Sequence, residues 1–315
     1  MSDRELNSSR PHLTRRRVLR GLGTGLVAAP LAHLLACVRE EQGIFLGSDT
    51  STGTGDGTGD DTGTDTDTGD DCGADPGSWA TGGTAAMVAK ACYPDPFADA
   101  EGTCALICET TEGPCTADTI VREDVSEGWG GLPVRLALRL VYADTCEPVV
   151  GASVEIWHTQ RTGVYSGVTP SGAFCYGDDP EAETYLYFRG TQVSDDDGRV
   201  NFDTCYPGWY SGRAIHIHFR VYLDGDLHAT SQLFFSDAMS QTIFAEHPDY
   251  AEFGQPDTVN TTDNIIGGED DLSPYVLETA RMVDGAMLAW KQVAIRSSLD
   301  AETCSAGGTM GGPPP

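Results

Sequence analysis

Positive charge is scarce in this chain: 19 Lys and Arg stand against 48 Asp and Glu, a formal net charge of −29 over 315 residues. A nucleic-acid backbone would be repelled, so that class of partner is excluded. Long apolar runs are equally rare, and no stretch after residue 36 reaches the roughly 18 apolar residues that a membrane-spanning helix needs. What remains is 39% hydrophobic, with 38 Gly and 10 Cys. That composition suits a loop-rich β protein with disulfides and is too apolar for a wholly disordered chain.

The few cations are unevenly placed. Residues 1–37 hold six Arg against Asp3 and Glu5, a net of +4 in a chain whose total is −29. Thr14-Arg15-Arg16-Arg17-Val18-Leu19-Arg20 opens a stretch of Gly, Ala, Leu and Val that closes on Leu34-Leu35-Ala36-Cys37. Charged, apolar, then small is the order of an export signal. The paired arginines resemble a twin-arginine signal, and the closing residues resemble a lipoprotein cleavage site with Cys37 as the lipidated residue. The expectation is an exported, periplasmic or cell-surface protein whose only membrane contact is a lipid.

Asp49 to Asp71 contains eight Thr, eight Asp, six Gly and one Ser, and nothing able to join a core. It reads as a solvated tether. Its Asp-rich repeats lack the closing bidentate Glu of an EF-hand loop, so they do not form a calcium site of that kind. The domain organisation read from the sequence is therefore a signal over 1–37, a disordered linker over 38–75, a folded domain over 76–300 and a disordered tail over 301–315.

The folded part carries a period of two. Val134, Leu136, Leu138 and Leu140 alternate with Arg135 and Arg139, and Ser153–Trp157, Ile215–Tyr222 and Ser231–Phe235 repeat the pattern, as half-buried strands require. Asp195-Asp196-Asp197-Gly198, Pro207-Gly208 and Asp224-Gly225 separate runs of strand length, and Asp284-Gly285 predicts a closing hairpin. The fold class is all-β, a sandwich or barrel.

Chemistry enters at His216-Ile217-His218. Residues i and i+2 of a strand point the same way, so both imidazoles leave one face while Ile215, Ile217 and Phe219 leave the other. Pro207-Gly208-Trp209-Tyr210-Ser211-Gly212-Arg213 brings a Tyr and an Arg to the entrance of that strand.

Several motifs in order resemble the intradiol ring-cleavage dioxygenases. They are Glu109-Thr110-Thr111-Glu112-Gly113-Pro114, Ile156-Trp157-His158 with Gly163-Val164-Tyr165-Ser166-Gly167, Phe188-Arg189-Gly190-Thr191-Gln192, and Pro207-Gly208-Trp209-Tyr210 with Arg213 and His216-Ile217-His218-Phe219. The likeness spans residues 109 to 245 and implies the β-sandwich of that family. It implies one non-haem Fe(III) held by Tyr165, Tyr210, His216 and His218, Tyr210 being displaceable and acting as a base. Arg213 would stabilise charge on the substrate ring, with Trp157 and Gln232 lining the pocket. The implied substrates are a catechol and dioxygen, with cleavage between the two hydroxylated carbons to a cis,cis-muconate-type product.

One departure stands out. Most members of the family it resembles follow Glu-Gly-Pro with an aromatic, usually Tyr, whereas this chain has Cys115. A free Cys115 lining the substrate pocket would widen it; a bridged Cys115, with Cys104 or Cys108 as nearby candidates, would redirect the loop. Apart from Cys37, nine cysteines remain, so at least one is free or pairs between chains. Two other classes fit parts of the sequence: a surface-displayed sandwich that only binds, and an Fe(II) oxygenase using His216, His218 and a carboxylate. A zinc site at Cys104, Cys108 and Cys115 is a poorer reading than disulfides.

The full-length protein is expected in the membrane fraction. Cys37→Ala should release it, and changing Arg15 and Arg16 to Lys should block export; fractionation and immunoblotting check both.

Overall fold

The computed structural model describes residues 72–74, 76–98 and 104–307. The signal, Cys37 and nearly all of the linker lie outside them. Eight strands form two sheets of four. The first has the order β4-β1-β8-β7, with β1 at Pro133–Tyr142, β4 at Arg199–Cys205, β7 at Glu278–Arg281 and β8 at Met287–Ile295; the second has the order β3-β2-β5-β6, with β2 at Ser153–Trp157, β3 at Arg189–Val193, β5 at His216–Leu223 and β6 at Asp226–Phe234. All pairings are antiparallel except β1 with β8.

The alternating residues face each other across the sandwich as the period of two predicts. Val134, Leu136, Leu138 and Leu140 meet Val154, Ile156, Ile217, Phe219 and Leu233 in one core. The other face of β1 is not simply solvated, because Ala137 is buried in a smaller cluster with Phe97, Met282 and Leu288. Asp224 and Gly225 both take positive φ between β5 and β6, the requirement of a two-residue hairpin turn. The Asp284-Gly285 hairpin also forms: the Met282 N–H donates to Ala286 O at 2.8 Å as β7 turns into β8.

Period-two reading passed over one helix. A four-residue turn, α1, covers Gly172–Cys175, and a longer helix, α2, covers Asp237–Glu246. Ser236 caps α2 by accepting the Met239 N–H at 3.2 Å, and the helix sends Ile243 and Phe244 into the core. A Ser-Asp start is a legible N-terminal signal.

Among the described residues four disulfides join segments outside the strands to one another: Cys72–Cys92, Cys104–Cys146, Cys108–Cys304 and Cys115–Cys175. They remove the zinc reading, since its three cysteines bond to three different partners. They also move both boundaries read from the sequence. Cys72 is tied to the domain, and 301–307 are part of it: Cys304 is bridged to Cys108, and the Ala306 N–H donates to Glu109 O at 2.9 Å. The odd cysteine is Cys205, free and buried. Burial pushes its thiol up, well away from a reactive thiolate.

Cys108–Cys304 closes a span of 196 residues. Replacing both with Ser should cost about 2–5 kcal/mol, read as a lower melting temperature in calorimetry.

Candidate active site

The outer face of the second sheet carries a polar row. Strand register places Arg189 on β3 opposite Trp157 on β2, Trp157 opposite His218 on β5, and His218 opposite Gln232 on β6. These four residues are at most 2% exposed, because the loops at 109–116 and 158–188 cover them. Trp157 lies flat on His218, centroids 4.9 Å apart at 11°, and the Arg220 guanidinium lies 4.9 Å from the centre of the same indole. Arg220 is itself held by both carboxylate oxygens of Glu155, at 3.0 Å each. Trp157 thus backs the His218 ring.

Two loops bring phenols to the histidines. One follows β2 and carries Tyr165; the other follows β4 and carries Tyr210. They pack so closely that a Cβ on Gly208 would stand 2.4 Å from Gln160 O, so only glycine fits there. The result is a cluster of four polar atoms. Tyr165 Oη is 3.4 Å from Tyr210 Oη and 3.3 Å from His216 Nε2; Tyr210 Oη is 3.4 Å from His216 Nε2; and the two histidine Nε2 atoms are 3.1 Å apart.

These separations are long for O–H···O and O–H···N bonds, which favour about 2.7–2.8 Å. They match donors that each stand about 2.0–2.1 Å from one shared first-row metal ion, whose mutual distances are roughly 2.9–3.4 Å. The His216 tautomer agrees. His216 Nδ1 is 2.7 Å from Ala214 O, which can only accept, so Nδ1 carries the proton and Nε2 turns a lone pair to the cluster. Burial, aided by Arg213, holds His216 and His218 well below the usual histidine pKa and therefore neutral. Burial raises both phenols: Tyr165 is pushed well up, with Tyr210 beside it adding to the rise, while Arg213 opposes the rise at Tyr210. Two hard oxygen donors and two imidazoles fit a ferric ion. Among the described residues no three His, Cys, Asp or Glu side chains gather as a metal site, so the Fe(II) reading lacks its carboxylate.

Arg213 enters the same cluster. One terminal nitrogen donates to Tyr210 Oη at 3.4 Å, the other to Gln232 Oε1, and Nε donates to Asp263 Oδ2 at 2.9 Å. Gln232 in turn donates from Nε2 to Thr111 O at 2.8 Å. Sequence reasoning missed Asp263, which also accepts the Ala214 N–H at 2.9 Å and the Ile265 N–H at 2.9 Å. No local motif marks it, since it lies 50 residues from the arginine it anchors.

The Glu112-Gly113-Pro114 segment closes the site from above. A Cβ on Gly113 would come within 3.3 Å of the His218 ring, and Gly113 has φ +72°. The next residue requires a correction. Cys115 is bridged to Cys175, and neither Cys104 nor Cys108 is its partner. The open pocket argued from a free Cys115 thiol therefore fails: a disulfide packed with Trp157, Tyr165 and Tyr176 stands there.

No family model matches the chain. Chlorocatechol 1,2-dioxygenase of Pseudomonas putida is 28% identical over 113 residues, which is 30% of this chain and 39% of that protein. The chain thus matches about two fifths of the length of that curated relative. An intradiol ring-cleavage dioxygenase from Tetranychus urticae superposes with a TM-score of 0.52 at 29% identity, covering 61% of this chain and 95% of that one. A second solved dioxygenase matches with the same values.

Asp263→Ala would leave Arg213 buried without its carboxylate. The expected cost is about 3–5 kcal/mol, measured as a lower denaturant midpoint, with Asp263→Asn milder because it keeps an acceptor.

Proposed function

We propose that this chain, a relative of the intradiol ring-cleavage dioxygenases, uses Fe(III) to open a catechol-type ring between its hydroxylated carbons, giving a cis,cis-muconate-type product. The observation that carries this reading is the convergence of Tyr165, Tyr210, His216 and His218 on one point at 3.1–3.4 Å. A ferric ion there would act as a Lewis acid toward the bound catechol. Taking up that ion requires both phenols to lose protons, so loading should weaken as pH falls.

The chain's own groups divide the remaining work. Tyr210 Oη, at the edge of the cluster and 3.4 Å from Arg213, is placed to take a catechol proton once it is freed as a base. Arg213 is a cation in a site largely closed to water, where a fixed donor acts strongly on charge that develops on the substrate. Asp263 and Gln232 hold its fork in one orientation, so little reorganisation accompanies the reaction. Trp157 keeps the His218 ring in plane. The Gly113 segment and the Cys115–Cys175 bridge shape the wall against which the substrate ring would lie, so a disulfide replaces the family's aromatic.

Four disulfides support folding in an oxidising compartment, in keeping with the export signal read at residues 1–37. On this reading the enzyme works outside the cytoplasm, tethered through Cys37.

The purified protein, reconstituted with ferric ion, should bind about one iron per chain and show a visible tyrosinate-to-iron charge-transfer band. Tyr210→Phe should shift the band and slow turnover. Arg213→Ala should keep iron and colour while kcat falls by about 10²–10³. A colourless, iron-free protein would exclude the proposed reaction, and unchanged turnover in Arg213→Ala would exclude the role given to that arginine.

A further inference from the structure

Arg189 is the first residue of β3 and is fully buried. Burial lowers its pKa to about 10, so it remains a cation at neutral pH. None of the ion pairs among the described residues includes it. A buried cation without a carboxylate is unfavourable, so it persists only where what it holds offsets that cost.

Its hydrogen bonds reach two segments of the proposed iron site. Nε donates to Ser166 O at 2.9 Å and to Ser166 Oγ at 3.2 Å; one terminal nitrogen donates to Ser166 O and to Cys115 O, both at 2.6 Å. Ser166 directly follows Tyr165. Cys115 follows the Gly113-Pro114 segment that lies on His218. The Tyr165 N–H is fixed from the other side by Cys175 O at 3.0 Å, and Cys175 is the disulfide partner of Cys115. The guanidinium carbon also lies 5.9 Å from the centre of the Tyr165 ring. One side chain therefore joins the backbone after one phenol donor to the loop that covers one imidazole donor. Its other terminal nitrogen is buried with no partner.

We propose that Arg189 is a positioning residue of the metal centre: its fork locks Tyr165 and the Gly113–Cys115 wall into one rigid unit, and its charge faces the Tyr165 ring. The inference rests on the iron reading above. Lysine cannot reproduce the role, because an ammonium lacks the planar fork that reaches two carbonyls. Residues that orient metal ligands commonly change metal affinity by 10–100-fold when altered.

The test uses the full chain loaded with ferric ion, in wild type, Arg189→Lys and Arg189→Gln. Glutamine removes a buried charge that has no ion-pair partner, so that variant is expected to fold. Circular dichroism checks the fold, the visible band reports the tyrosinate donors, and a competing chelator measures iron loss. Both variants should lose iron at least about tenfold faster than wild type, and Arg189→Gln should also shift the band. Folded variants with an unchanged band and unchanged iron loss would overturn the proposal. So would failure of both variants to fold, which would make Arg189 a general structural residue. A wild-type protein with no tyrosinate band would instead overturn the iron reading itself.

Discussion

Burying a polar row on the outer face of a sheet imposes conditions on everything around it. Arg189, Trp157, His218 and Gln232 lie side by side on four strands, all at most 2% exposed. An unpaired buried polar group costs about 1–3 kcal/mol, so each of these needs a partner, a covering loop or a ligand. Gln232 is satisfied through Arg213 and Thr111, and Arg189 in part, through the carbonyls of Ser166 and Cys115, with one terminal nitrogen left unpartnered. Trp157 Nε1 and His218 Nδ1 are buried with no partner, and His218 Nε2 is turned to the phenols and His216. The row makes sense as a scaffold for something held at that point.

Loops, not strands, complete the site. Tyr165, Tyr210, Gly113 and Asp263 all lie outside regular strands, and a loop buries little apolar surface with which to hold itself in place. The chain uses other restraints. Glycines allow backbone to approach backbone, as at Gly208; buried arginines reach several carbonyls at once; and disulfides fasten the segments that flank the donors. Cys115–Cys175 serves the third role, packed against Trp157 and Tyr165. That covalent restraint fixes the path of the loop between the Gly113 segment and Tyr165.

Charge is distributed by depth. The surface is strongly acidic, yet the cations near the site are buried: Arg189 and Arg213 are 0% and 9% exposed. Arg213 has Asp263 as a direct counter-charge, whereas Arg189 makes no ion pair and is held by backbone carbonyls, with Glu155 acting on it only at longer range. Fixed cations in a dry site strengthen interactions with an anionic substrate or donor, while the exterior charge favours solubility.

The sandwich and the pairing of the two histidines were legible from local pattern, because side-chain direction in a strand is set by the pleat and repeats every two residues. His216 and His218 had to share a face wherever the strand was placed, and Tyr210 with Arg213 lay close enough in sequence to turn toward them. Tyr165 entered only through a resemblance of motifs. Disulfide connectivity, the inclusion of 301–307 in the domain and the anchoring of Arg213 by Asp263 needed the tertiary structure, since each joins residues from 20 to 196 positions apart or brings in a segment with no pattern of its own. The fate of Cys115 shows the difference most plainly. Its position beside Glu112-Gly113-Pro114 was visible in the sequence, but whether its sulfur faced a substrate or another sulfur depended on where the chain returned 60 residues later, and only the packing of the two loops determines that.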